Sequence, residues 1–207
     1  MSISKSKIAA YEAILKNRAY EEYELWISNF ALNLNDIWNE QSASILSPSG
    51  SSDANKHAIV IGKGPSINKK NHLKLLAQSN FSGSIICCDG KLIDTLKSGV
   101  TPDKFPKFYV VTVDPLSSIK RNYDDPIVDE YGSGIKAVFS VVSHPDAVKH
   151  ARKSGMKIHW MHSLVDYNEG KKSFNYITSV MVRAKNHSNG LPAIQTGANV
   201  GTSSWFV

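Results

Sequence analysis

Cysteine is scarce. The chain has two, Cys87 and Cys88, and they are neighbours in an apolar run. Adjacent strand residues point to opposite faces of a sheet, so this pair cannot form an ordinary bridge. No further ligands lie near enough in sequence to complete a metal site with them. Both are expected to be buried packing residues. Long apolar runs are also lacking: FYVVTV and AVFSVV fall far short of the roughly 20 residues a bilayer requires. The N-terminus carries charges every few residues where a signal peptide would have an uninterrupted apolar core. A soluble, cytoplasmic protein with no membrane span is expected.

Acidic residues are absent from Gly170 to Val207, a stretch that contains Lys171, Lys172, Arg183 and Lys185. With a net charge of +6, such a tract suits an anionic partner or a solvated basic face. Aromatic residues are not interleaved with these cations as a single-strand platform requires, so nucleic acid is not the expected partner. A small phosphorylated ligand fits better.

The 207 residues, 42% hydrophobic and 20% charged, suffice for one sizeable core and an appendage. Residues 1–40 contain neither proline nor glycine and place Tyr23, Trp26, Ile27, Phe30, Leu34 and Ile37 at helical spacing, which predicts an N-terminal helical segment. The Ser-rich stretch 41–56 has the composition of a linker. The folded domain is expected over 57–207. There HAIVI (57–61), SIICC (84–88), FYVVTV (108–113), AVFSVV (137–142) and KIHWMH (157–162) alternate with helix-like segments such as HLKLLAQ and PDAVKHARKSG. Runs apolar on both faces, alternating with helices, predict an α/β fold: a Rossmann-like, doubly wound, mostly parallel sheet covered by helices on both sides. In that architecture ligands bind at the carboxyl ends of the strands.

The residues at those ends are therefore the candidates. Gly62, Lys63, Gly64, Pro65 and Ser66 follow the first strand. The glycines would let the backbone approach a phosphate, and Ser66 would cap an acid-free helix whose positive end faces the anion. A structural turn is the alternative. The third glycine of a dinucleotide fingerprint is missing, which argues against NAD. Asp89 closes the second strand, 25 residues after Gly64, near the spacing at which Rossmann proteins place an acid on a ribose hydroxyl. Asp89-Gly90 reads equally as a turn. Asp114 in TVDP could hold Mg²⁺, a substrate hydroxyl or a base, or simply start a turn. Ser143 and His144 end the fourth strand, and His144 is a candidate general acid or phosphate ligand, or else a capping group. His159 and His162 alternate with Trp160 and read as packing or edge residues. Thr196, Gly197, Asn199, Gly201 and Thr202 form a second small-residue loop suited to phosphate or sugar oxygens. Both loops are expected on one rim of the sheet. The helix predicted after Asn199 ends on Trp205, Phe206 and Val207 with no stop signal, so the natural protein is expected to continue beyond this point.

Together GKGPS (62–66), CDG (88–90), the Gly-Val-x-Pro-Asp segment (99–103), VDP (113–115), SHP (143–145) and TGANVG (196–201) resemble the family that joins the Maf motility-associated glycosyltransferases to the archaeal, MptE-like 6-hydroxymethylpterin diphosphokinases. The resemblance runs from about His57 to the end. It implies a transferase with a nucleotide-bearing donor: an activated nonulosonic sugar in the first branch, or Mg²⁺ and ATP passing a diphosphate to a pterin alcohol in the second. It implies phosphate contacts from Gly62, Gly64, Ser66, Thr196, Gly197 and Asn199, a ribose contact from Asp89, and Asp114 and His144 nearest the reacting centre. VDPLSS and SHPDAV stand where the second branch has an acid-rich motif and a His-rich loop. With no acidic neighbour beside Asp114 in sequence, the expectation leans to a nucleotide-sugar transferase. A diphosphokinase and a non-catalytic nucleotide-binding module are the alternatives.

Overall fold

A computed structural model describes residues 5–46, 57–165, 170–183, 187–195 and 203–204, with the backbone alone for 5–21 and 195. Among the described residues the seven strands, in chain order, are β1 (Gln41–Ser42), β2 (Ala58–Ile61), β3 (Ser84–Cys88), β4 (Phe108–Thr112), β5 (Ile135–Ser140), β6 (Lys157–Leu164) and β7 (Ala193–Gln195). The five apolar runs become β2 to β6, which lie side by side in that order, each pair parallel. The free edge of β6 is shared: β1 pairs with His159 and Trp160, and β7 pairs with His162 to Leu164. The parallel, Rossmann-like α/β class is the one expected.

The helices are α1 (Lys5–Asn39), α2 (Ser66–Lys69), α3 (His72–Gln78), α4 (Leu92–Lys97), α5 (Pro126–Tyr131), α6 (Pro145–Lys153) and α7 (Phe174–Met181). Right-handed crossovers between consecutive neighbours put their connecting helices on one face of a sheet. Accordingly Leu73, Leu96, Val128, Val148 and Phe174 all join one core with Ile85, Val110, Phe139 and Trp160. The other face carries a smaller cluster of Val111, Val138, Met161 and Ile194, on which Ala43 and Leu46 pack. Helical cover on both faces was the expectation. Among the described residues the second cover is instead the 3-10 turn Ala43–Leu46, which a Ser-rich composition does not announce. The first part of the expected linker is thus built into the sheet, because Gln41 and Ser42 take up β6's free backbone groups.

Helix α1 runs unbroken over its 35 residues. Its last turns dock on the core through Phe30 and Ile37. Trp160 Nε1 donates to Glu40 Oε2 at 2.8 Å, and Arg152 pairs with both Asp36 and Glu40. Cys87 and Cys88 are buried free thiols, as expected. Burial pushes Cys87 far above the usual thiol range and Cys88 up to about 11. Among the described residues, no helix is long and apolar enough to cross a membrane.

Candidate functional site

Because the strands are parallel, their carboxyl ends gather on one rim. After β2 this rim carries Gly62 to Ser66. Neither glycine has a positive φ. A Cβ at Gly62 would meet nothing within 4 Å, and at Gly64 only Ser66 Oγ at 3.8 Å. The fold itself therefore does not require glycine here, and both positions face open space. Ser66 does not cap the helix as expected. Pro65 occupies the cap position with φ −66°, already helical, and no side chain caps the turn. The helix is also shorter than expected: α2 has four residues and is separated from α3 by Asn71 in the left-handed region at φ 52°. A single turn carries little macrodipole, so positive charge near the loop comes from the exposed side chains of Lys63, Lys69 and Lys70. Lys63 reaches across to the next strand end: a Cβ on Gly90 would lie 2.9 Å from its Cδ and 3.4 Å from its Nζ.

Asp89 ends β3 beside this lysine. It is 5% exposed. Its Oδ1 accepts from the Gly90 amide at 2.6 Å, while Oδ2 is buried with no hydrogen-bond partner. Burial, helped by the nearby charge of Asp114, raises its pKa to about 6. The Gly90 amide, the Thr112 hydroxyl and Asn122 act in the opposite direction, although neither of the latter two makes a hydrogen bond of ordinary geometry to Oδ2. Thr112 is itself held 2.5 Å from the buried Tyr123 hydroxyl.

Asp114 follows β4. Its Oδ1 accepts from the Leu116 amide at 2.9 Å, an Asx turn that fixes the carboxyl of this half-buried residue. The fold thus supplies what the linear sequence withholds: a carboxylate neighbour for Asp114, brought from the adjacent strand end. His144 precedes α6, and its Nδ1 accepts from the Asp146 amide at 3.2 Å. That bond leaves Nε2 as the nitrogen that carries the proton of the neutral ring. Ser143 is buried and its hydroxyl donates to the Thr112 carbonyl at 3.1 Å, tying the end of β5 to that of β4.

Two residues absent from the sequence reading hold these loops. Asn29 and Asn33 are buried, one turn apart on α1. Asn29 Nδ2 donates to the carbonyls of Pro115 at 2.9 Å and Val142 at 3.0 Å. Asn33 Nδ2 donates to Val141 at 3.3 Å and Ser143 at 2.8 Å. Their signal was available: two asparagines four residues apart within an otherwise apolar helical stripe. The other loop candidates, Thr196, Gly197, Asn199, Gly201 and Thr202, lie outside the described residues. The last described residue before them, Gln195, ends β7, which is parallel to β6. His159 and His162 are buried, as packing residues should be.

Two carboxylates and the phosphates of a ligand are a sufficient donor set for Mg²⁺, which keeps several of its waters. The unpartnered, buried Oδ2 of Asp89 beside Asp114 fits that ion, since an orphaned buried carboxylate oxygen is costly unless a cation or donor reaches it. Among the described residues, no group of three or more metal-ligating side chains exists, so the ligand's own oxygens would have to complete the shell.

A family model described as 6-hydroxymethylpterin diphosphokinase MptE-like matches residues 28–207. No curated protein and no solved structure matches the chain.

Proposed function

The chain belongs to the 6-hydroxymethylpterin diphosphokinase MptE-like family, and from that premise we propose that it is a nucleotide-dependent transferase of the diphosphokinase type, taking ATP with Mg²⁺ as donor and an alcohol of the pterin class as acceptor. The observation that carries this reading is the buried carboxylate of Asp89 beside Asp114, with an orphaned oxygen. Asp89 and Asp114 would hold the cation, which supplies charge neutralisation on the phosphates. Gly62 and Gly64 leave room for phosphate oxygens against the loop backbone, and Lys63 adds a mobile positive charge over the Asp89-Gly90 turn. His144, with its Nδ1 engaged by Asp146, donates from Nε2 to a phosphate oxygen rather than accepting a proton. In the overall reaction the acceptor oxygen bonds to the β-phosphorus as the bond to the α,β-bridging oxygen breaks. AMP leaves, and the acceptor's proton passes to solvent.

A nucleotide-sugar donor is the second reading, supported by VDPLSS and SHPDAV in place of the acid-rich motifs. It uses the same rim. Incubation with ATP, Mg²⁺ and 6-hydroxymethylpterin separates the two: AMP formed in step with a pterin diphosphate supports the first, and no AMP under saturating ATP contradicts it.

Replacing Gly64 by Val tests the loop. With open space around the position, the melting temperature should stay within about 2 °C of wild type. Affinity for the Mg²⁺ complex of α,β-methylene-ATP should fall by at least about tenfold, because a branched Cβ blocks backbone approach to phosphate. Unchanged affinity in a folded variant removes the loop from the site.

A further inference from the structure

We infer that Asn29 of α1 is a positioning residue that sets the Asp114 carboxylate at the rim, and that α1 is therefore part of the site rather than an appendage to it. The inference rests on the proposed role of Asp114. Asn29 is 3% exposed, and one amide group bridges two separate rim loops: the Pro115 carbonyl, adjacent to Asp114, and the Val142 carbonyl on the segment leading to His144. Asn33 makes its two bonds to Val141 and Ser143, both on that second segment. The two asparagines therefore differ in reach. Of the two, it is Asn29 that links α1 to the loop whose Asx turn orients Asp114 through the Leu116 amide. A backbone carbonyl held by a buried donor on a docked helix has little freedom to drift, whereas a loop tied at one end alone does. The residues matched by the family model begin at 28, so both asparagines fall inside that span.

The test compares Asn29→Ala and Asn33→Ala in the full chain, using solvent exchange of the Leu116 amide by NMR and titration with Mg²⁺ and α,β-methylene-ATP. Asn29→Ala should speed Leu116 exchange by about tenfold or more and leave the Val110 and Val138 amides of the central strands unchanged. It should weaken affinity about tenfold in the wild-type background and not at all in an Asp114→Asn background, a coupling that a general loss of stability does not produce. Asn33→Ala should leave Leu116 exchange as it is. If Asn29→Ala fails to fold, Asn29→Ser retains one donor and should show the same pattern at smaller size. Unchanged Leu116 exchange overturns the inference whatever the ligand does, and so does an equal affinity loss in both backgrounds. If Asp114→Asn binds like wild type, the proposed role of Asp114 fails, and the exchange result still decides whether Asn29 orders its loop.

Discussion

Asp89→Asn should make the protein more stable at neutral pH while abolishing its response to Mg²⁺. The folded-state pKa of about 6 lies above the ordinary value of 3.8. A carboxyl raised in this way favours the protonated fold: its contribution is fully present below the unfolded pKa and lost as pH rises through about 6. Above that pH the buried, ionised carboxylate costs on the order of 3 kcal/mol. An asparagine keeps the acceptor for the Gly90 amide and removes the charge, so most of that cost should disappear. For a chain of this size the gain corresponds to roughly 6 to 10 °C in melting temperature. A residue whose removal stabilises the fold is one retained for something other than folding. In the same variant, the stabilisation of wild type by Mg²⁺ with α,β-methylene-ATP should vanish. A melting temperature at or below wild type would show that Asp89 contributes to folding in its charged form.

The second large effect appears on acidification. His162 is buried, and burial lowers its pKa to about 4, from 6.5; His159 is also lowered by burial. A histidine depressed in the folded state takes up protons more readily when unfolded, so its contribution is present above 6.5 and lost as pH falls through about 4. This loss runs opposite to the Asp89 effect over nearly the same window. Wild type should therefore change little in stability between pH 6.5 and 4 on account of these groups. Asp89→Asn, with the opposing carboxyl gone, should lose on the order of 3 kcal/mol over that range. Adding His162→Gln should restore most of the flatness. Parallel melting curves for wild type and Asp89→Asn across that interval would contradict this assignment of both groups.

Much of the frame was legible because hydrophobic runs of strand length, bounded by Gly, Pro and Asp, have few alternatives. SIICC became β3 at its stated limits, and HLKLLAQ became α3 likewise. The placement of Gly62, Asp89, Asp114 and His144 on one rim followed from strand parallelism alone. What could not be read were relations between strand ends. The absence of an acid beside Asp114 in TVDP counted against metal-assisted chemistry, yet Asp89 arrives from the neighbouring strand, since Cys88 pairs with Val111 in register. The cap assigned to Ser66 failed because Pro65 already takes a helical φ. The β1 edge strand is two residues long, too short for periodicity to reveal. Asn29 and Asn33 read as polar interruptions of an apolar stripe because their partners lie 86 to 113 residues away.

The central claim is that Asp89 and Asp114 together bind a nucleotide through Mg²⁺. Titration calorimetry of wild type with α,β-methylene-ATP, in Mg²⁺ and then in EDTA, tests it most directly. Binding that weakens by about a hundredfold or more without the cation, and that is equally weak with and without Mg²⁺ in Asp89→Asn and Asp114→Asn, is the predicted result. Affinity that is the same in EDTA as in Mg²⁺, or undiminished in either variant, would contradict it.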